Sequence, residues 1–208
     1  MSGYALVQFT LFAVWALLAG VGGLLLQRHR TGDSGFRFAA APRGSEQWWA
    51  NRIFAAGSVA VGIGAPLADL LGLTVGGALD NTRLHAAGVV VAVFGISLTC
   101  AAQLAMGASW RIGVDPAERT ALVTGGPFRL VRNPIFSAAI LTFTGLAATV
   151  PNAVALVGLG LVVIGIQIQV RRIEEPYLRS VHGRHYQQYA ARVGRLLPGI
   201  GRLRAPRP

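Results

Sequence analysis

Long apolar runs alternate with short polar, arginine-rich segments along this chain. An α-helix rises about 1.5 Å per residue and the hydrocarbon core of a bilayer is about 30 Å thick, so roughly 20 apolar residues make one crossing. Five runs approach this length: residues 4–26, 53–73, 84–106, 135–150 and 153–170. The pattern therefore predicts an all-α, polytopic integral membrane protein with about five transmembrane helices.

The last two runs are short, and Pro151-Asn152 between them is an uncharged turn signal. They predict a tight helical hairpin. The first run has no basic segment before it and, at 23 residues, exceeds a typical signal-peptide core, so we expect a retained span. The expected organisation is three N-terminal transmembrane helices within residues 1–106, with a cytoplasmic loop 27–52. A C-terminal core would follow over 107–208 as loop 107–134, hairpin 135–170 and cytoplasmic helix and tail 171–208.

The arginines predict the orientation. All 19 basic residues are arginine, and only Arg83 falls in the second loop, so five crossings place 18 of the 19 on one face. The positive-inside rule makes that face cytoplasmic. We therefore expect the N-terminus outside the cell membrane and the C-terminus inside.

Composition supports a membrane protein and excludes other classes. The chain of 208 residues is 53% hydrophobic and 13% charged, with a mean hydropathy of +0.52, which is too apolar for an ordinary soluble domain. The net charge of +11 lies between apolar runs, so no nucleic-acid partner is expected. The single cysteine, Cys100, and the pair His182 and His185, which has no third ligand, predict no metal site.

The first stretch that could carry chemistry is "GGPFRLVRNPIF", residues 125–136, preceded by a short strand-like piece over 121–124. Its glycines and proline would let the backbone approach a ligand closely and then stiffen it. Asn133 should be extended because it precedes Pro134, which would open a helix whose N-terminus favours an anionic group. Alternatively, Arg129 and Arg132 only bind lipid headgroups.

The second stretch is "RRIEEPYLRSVHGRHYQQY", residues 171–189. Glu174 and Glu175 oppose the dipole at a helix end, and such a local conflict indicates function. A carboxylate there could bind the ammonium of an amino-acid-like ligand, while Arg171 or Arg172 could bind an acidic acceptor. The alternative is local ion pairing of Glu174 with Arg171 and of Glu175 with Arg179.

Together the two stretches resemble the isoprenylcysteine carboxyl methyltransferase and phospholipid methyltransferase family of membrane enzymes. That family's usual pattern is Leu-Val-x-x-Gly-x-Tyr-x-x-x-Arg-His-Pro-x-Tyr before a helical hairpin and Glu-Glu-x-x-Leu-x-x-x-Phe-Gly-x-x-Tyr-x-x-Tyr after it. Here the two read "LVTGGPFRLVRNPIF" and "EEPYLRSVHGRHYQQY". Order and spacing agree from residue 120 to residue 198, on both sides of the expected hairpin.

The resemblance implies a bound S-adenosylmethionine. Glu174 would meet its methionine part, and Arg171 is nearest to the family's substrate-holding arginine, so these two are the expected catalytic residues. The implied cofactor-binding residues are Thr120, Ala121, Leu122, Val123, Phe128, Asn133, Pro134, Ile135, Phe136, Glu174 and Glu175.

Three positions depart from the family pattern. Asn133 replaces a histidine and so has no titratable charge, which makes a proton-acceptor role there doubtful. Phe128 and Phe136 replace tyrosines, which keeps aromatic stacking and loses two hydroxyl groups. Binding of the cofactor would then depend more on backbone groups.

The expected function is methyl transfer to a lipophilic, isoprenoid or lipid-like acceptor, with the membrane lipids as the other partner. A carboxylate acceptor fits the chemistry, because it is already anionic near pH 7 and needs no general base. An amine or phenol would need one, and His182 and His185 are the nearest candidates. Two other functions stay open: an NADPH-dependent oxidoreductase of the sterol-reductase kind and a non-enzymatic membrane scaffold.

Overall fold

The computed structural model describes residues 3–37, 41–73, 81–111, 113–114, 119 and 121–204, and it is helical. Four helices are long and apolar enough to cross a membrane: α1 (Gly3–Thr31), α2 (Glu46–Leu70), α3 (Thr82–Ser109) and α5 (Ala153–Arg192). A shorter apolar helix, α4 (Pro134–Thr149), precedes α5. No strand forms among the described residues, which confirms the all-α membrane fold.

The helices extend beyond the apolar runs into polar sequence. α2 begins seven positions before residue 53, at Glu46, because the Ser45 side chain caps its first turn by accepting a hydrogen bond from the Trp48 backbone at 3.2 Å. Trp48 therefore lies in the helix rather than in a loop, and the Arg52 guanidinium stacks 4.2 Å from its ring centroid. α5 likewise continues from the apolar run into the polar tail, with a kink at Gly183 where φ is 50°.

The hairpin of α4 and α5 turns at Pro151-Asn152, as predicted. The Asn152 side chain accepts a hydrogen bond from the Ala155 backbone at 2.9 Å and so caps α5. Its amide nitrogen donates to the Ala65 carbonyl of α2, also at 2.9 Å. The two arms then pack mainly on other helices, α4 along α3 and α5 along α2.

Glycines allow the close approach of these helix pairs. A Cβ added at Gly95 of α3 would lie 2.6 Å from the Thr142 nitrogen of α4. One added at Gly158 of α5 would lie 2.8 Å from the Val61 side chain of α2. Lipid tails are as apolar as the side chains, so such helices associate through close backbone packing rather than through the hydrophobic effect.

Two π-helical turns interrupt the N-terminal helices, at Ala16–Gly22 in α1 and Ala60–Gly64 in α2. A glutamine from a neighbouring helix donates to a carbonyl in each of them. Gln103 donates to the Ala19 carbonyl at 2.7 Å, and Gln8 donates to the Val61 carbonyl at 2.6 Å. Side-chain donors of this kind satisfy backbone groups where no water can do so.

Three arginine-rich segments meet at one end of the helix bundle. Gln47, near the start of α2, donates to the Val114 carbonyl at 3.2 Å. Arg172 of α5 lies 3.3 Å from the Glu46 carboxylate of α2. Five crossings would put these three segments on one side of the membrane, and their contacts agree with that. Which side it is stays a prediction from the arginines.

We predict that Gly158→Leu destabilises the protein by about 1–3 kcal/mol, because the new side chain overpacks the contact with α2. Gly160→Leu, two residues along α5, is the matched control, since nothing lies within 4 Å of a Cβ added there. Thermal unfolding of both variants in detergent, followed by intrinsic fluorescence, measures the difference. Equal unfolding temperatures for the two variants would contradict the close α2–α5 contact.

Candidate functional site

A cavity of about 230 Å³ opens at the arginine-rich end, among the helices and the loop before α4. Both sequence stretches contribute to its wall. The predicted cofactor-binding residues that line it are Ala121, Leu122, Val123, Phe128, Asn133, Pro134, Ile135, Phe136 and Glu174. Thr120 lies outside the described residues.

The loop that enters the cavity has unused backbone groups. The prediction of a strand-like piece is wrong, because residues 121–124 form no strand. The backbone of Ala121, Leu122 and Val123 makes no hydrogen bond to any described residue. Its amides and carbonyls are therefore available to a ligand.

A short turn, Gly126–Arg129, follows this loop and places Phe128 against the cavity. Gly126 has a φ of 55°, which only glycine adopts without strain. The Tyr189 hydroxyl of α5 donates to the Phe128 carbonyl at 2.6 Å and holds the turn on the helix. Tyr189 and Tyr186 both line the cavity.

Asn133 and Pro134 have the local geometry that their sequence predicts. Asn133 has a φ of −127° and precedes α4, and Pro134 lies in the first turn. The Asn133 side chain donates to the Arg195 carbonyl at 3.1 Å, so it also binds the C-terminal tail. Ser137 binds the same tail by donating to the Leu196 carbonyl at 2.7 Å.

Glu174 faces the cavity because of a third π-helical turn, Gln169–Glu174. Residues five apart lie on one face of such a turn, whereas they diverge in an α-helix. Gln169 and Glu174 accordingly share the cavity wall, and the Gln169 amide nitrogen donates to the Glu174 carboxylate at 3.4 Å. Among the described residues Glu174 has no cationic partner, so the alternative, an ion pair with Arg171, is absent.

Glu175, the next residue, points elsewhere and is 3% exposed. Its carboxylate accepts hydrogen bonds from Arg132 and, at 2.7 and 2.9 Å, from Arg195. The bonded carboxylate raises the pKa of the Arg195 guanidinium, which therefore keeps its charge. The alternative of a local pair with Arg179 is thus wrong, because Glu175 binds arginines distant in sequence.

Arg132 joins the two sequence stretches. It is 5% exposed, so the alternative that it binds lipid headgroups is wrong, whereas Arg129 is exposed. Besides Glu175, its guanidinium donates to the carbonyls of Ala190 at 3.1 Å and Val193 at 2.6 Å. These carbonyls belong to the end of α5, where backbone acceptors lack helical partners, and a cation is favoured there.

Arg171, the other expected catalytic residue, does not line the cavity. It is exposed on α5, and its Nε donates to the Gln167 side chain at 2.8 Å. Glu175 also lies outside the cavity wall. The roles predicted for these two residues stay predictions.

The N-terminal helices supply wall residues that motif reading does not find. Trp15, Asn51 and Gln103, from α1, α2 and α3, line the cavity together with Gln169. A polar side chain within or beside an apolar run is a signal that could have indicated them, because such a group needs a partner or a function. Trp110 and Arg111, at the end of α3, complete the same wall.

A family model matches residues 84–185 of the chain, from the start of α3 into the polar half of α5. With the helices long enough to cross a membrane, this match defines a membrane methyltransferase that acts on lipid-like substrates. The family is that of the phospholipid methyltransferases, to which the chain is similar over these residues, and the match confirms the resemblance found in the sequence. The search of curated proteins found no match.

We predict effects of very different size on stability for the two adjacent glutamates. Glu175→Gln should destabilise the protein by about 3–5 kcal/mol, because it leaves two buried or half-buried arginines without their carboxylate. Glu174→Gln should change stability by less than about 1 kcal/mol, since it breaks no ion pair among the described residues. Unfolding of both variants in detergent measures this, and equal losses would refute the assignment of Glu175 as the structural partner.

Proposed function

We propose that this methyltransferase uses S-adenosylmethionine and transfers its methyl group to a lipophilic acceptor at the cytoplasmic face of the membrane. One observation carries the proposal. Two stretches, 121–136 and the turn Gln169–Glu174, line a single cavity whose remaining wall comes mostly from membrane helices. A donor binding from the loop side and an acceptor from the membrane side could meet there.

The residues of the cavity fit the parts of this cofactor. Glu174 would bind the ammonium group, because it is a carboxylate without a cationic partner among the described residues. The backbone of Leu122 and Val123 would pair with the adenine edge, beside the face of Phe128. The first-turn N–H groups of Ile135 and Phe136 have no intrahelical partner and would favour the carboxylate.

When bound, S-adenosylmethionine supplies a methyl group on a positively charged sulfonium. The chain's residues align the reacting groups and exclude water, and alignment alone can contribute about 7–11 kcal/mol. Leu122, Phe136 and Ile166 provide apolar wall, while Glu174 places negative charge beside the developing reaction. Tyr189 and the Arg132–Glu175 pair hold the loop and α5 at a constant separation.

An acidic acceptor, such as a carboxylate, would have Arg171 as its proposed partner. Arg171 lies one helical turn after Gln167, on the exposed side of α5, and would have to leave Gln167 to reach the cavity. A carboxylate acceptor requires that movement or another cation. If Arg171 acts in this way, Arg171→Gln should raise the KM for the acceptor and leave the affinity for the methyl donor unchanged.

We predict that the purified protein in detergent binds S-adenosylmethionine, as measured by calorimetry. Glu174→Gln should weaken this binding by about tenfold to a hundredfold, because it removes a charge-assisted hydrogen bond. Arg179→Gln is the control, since Arg179 is exposed on the same helix and does not line the cavity. Its affinity should equal that of the wild type.

A parallel titration with NADPH distinguishes the proposed methyltransferase from the reductase alternative. Binding of NADPH and not of S-adenosylmethionine would overturn the proposal in favour of an oxidoreductase. Binding of neither cofactor, with Glu174→Gln behaving as the wild type, would favour a scaffold. Transfer of labelled methyl to membrane lipids, read as a gain of about 14 mass units, would identify the acceptor.

A further inference from the structure

The walls of the cavity differ in charge. Arg111, Arg132 and Glu174 are its only charged wall residues among those described, and they accompany the loop before α4 and the turn at residue 174. The wall contributed by α1 and α2 carries no charge and includes Trp15, in the apolar run of α1, and Asn51, two residues before the apolar run of α2. These two residues lie outside the region 84–185 that matches the family.

Unsatisfied polar atoms concentrate at this cavity. In the described part of the chain, six buried side-chain atoms have no hydrogen-bond partner, and four of them belong to residues of the cavity wall. Three of the four belong to uncharged side chains: Trp15 Nε1, Asn51 Nδ2 and Gln169 Oε1. A buried polar atom without a partner costs free energy, so a group on a ligand is the expected partner.

The neighbours of these atoms set their hydrogen-bonding roles. The Gln169 amide nitrogen faces the Glu174 carboxylate, which leaves Oε1 as the acceptor. The Trp15 ring lies 4.8 Å from the Phe143 ring and 6.5 Å from the Phe54 ring, centroid to centroid, so its position is determined by packing. Trp15 Nε1 can only donate, and Gln169 is 6% exposed.

A hydroxyl group has the hydrogen-bonding groups that these three atoms lack. Its oxygen can accept from the N–H groups of Trp15 and Asn51, and its O–H can donate to Gln169 Oε1. An ether or ester would leave Gln169 Oε1 unsatisfied. A carboxylate would meet that same oxygen and find no cation among these three side chains, and an ammonium would leave the N–H donors unsatisfied.

We infer that Trp15, Asn51 and Gln169 form a binding site for the hydroxyl group of a neutral, lipophilic ligand. Resting on the proposed function, this ligand is the methyl acceptor, which the three side chains orient relative to the methyl donor at Glu174. The N-terminal helices and the π-helical turn of α5 then decide which class of acceptor binds. The site distinguishes acceptors by whether they carry an O–H group rather than by their charge.

The test compares three probes of equal chain length: 1-decanol, decyl methyl ether and decanoic acid. Binding is measured to the full-length protein in lipid nanodiscs by displacement of tritiated 1-decanol. We expect the alcohol to bind at least about tenfold more tightly than the ether and the acid, because only it satisfies donors and acceptor together. Trp15→Phe and Gln169→Leu should each reduce this preference to within about threefold.

Thr99→Val is the matched control. Thr99 lines the cavity, but its hydroxyl already donates to the Gly95 carbonyl of its own helix at 2.9 Å, so the preference for the alcohol should persist. The unfolding temperature of each variant, together with the S-adenosylmethionine affinity of Trp15→Phe and Thr99→Val, establishes that the fold and the donor half are intact. Equal affinity for alcohol and ether, tighter binding of the acid, or absence of alcohol binding would overturn the inference. If the methyl donor still binds in those cases, the proposed function stands. If the alcohol is preferred but the methyl donor does not bind, only the proposed function is refuted.

Discussion

The buried carboxylate of Glu175 is the interaction on which the site depends. It binds Arg132 from the loop before α4 and Arg195 from the C-terminal tail, so one charge joins three segments distant in sequence. A buried ion pair contributes little net stability, because desolvation opposes the attraction, yet removing one partner is costly. The pair therefore acts chiefly to keep these segments in one arrangement, with the second guanidinium nitrogen of Arg132 bound to carbonyls at the end of α5.

The π-helical turn explains why adjacent glutamates have different surroundings. Neighbouring residues on a helix point in different directions, and the widened turn adds a rotation that brings Gln169 and Glu174 onto one face. Glu175 then faces the arginines while Glu174 faces the cavity. A structural charge and a candidate ligand-binding charge thus occupy consecutive positions without competing for the same partner.

The site was partly predictable. The crossings, the hairpin turn, the extended Asn133 and the first-turn Pro134 depend on local chemistry, and the structure has them. The placement of Arg132 and the role of the tail around Arg195 were not predictable, because they depend on pairing across 43 and 20 positions of the chain. An arginine beside a membrane run is equally consistent with lipid contact until its partner is known.

The sequence by itself determined that the chain is a helical membrane protein with a methyltransferase-like pair of motifs, because hydrophobic run length and motif spacing are properties of the chain alone. The tertiary structure alone decided which polar groups meet. The close approach of α5 to α2 at Gly158 brings Asn51 to the same cavity as Gln169, and Trp15 of α1 joins them by packing on Phe54 and Phe143. That convergence depends on packing geometry between helices rather than on any local pattern.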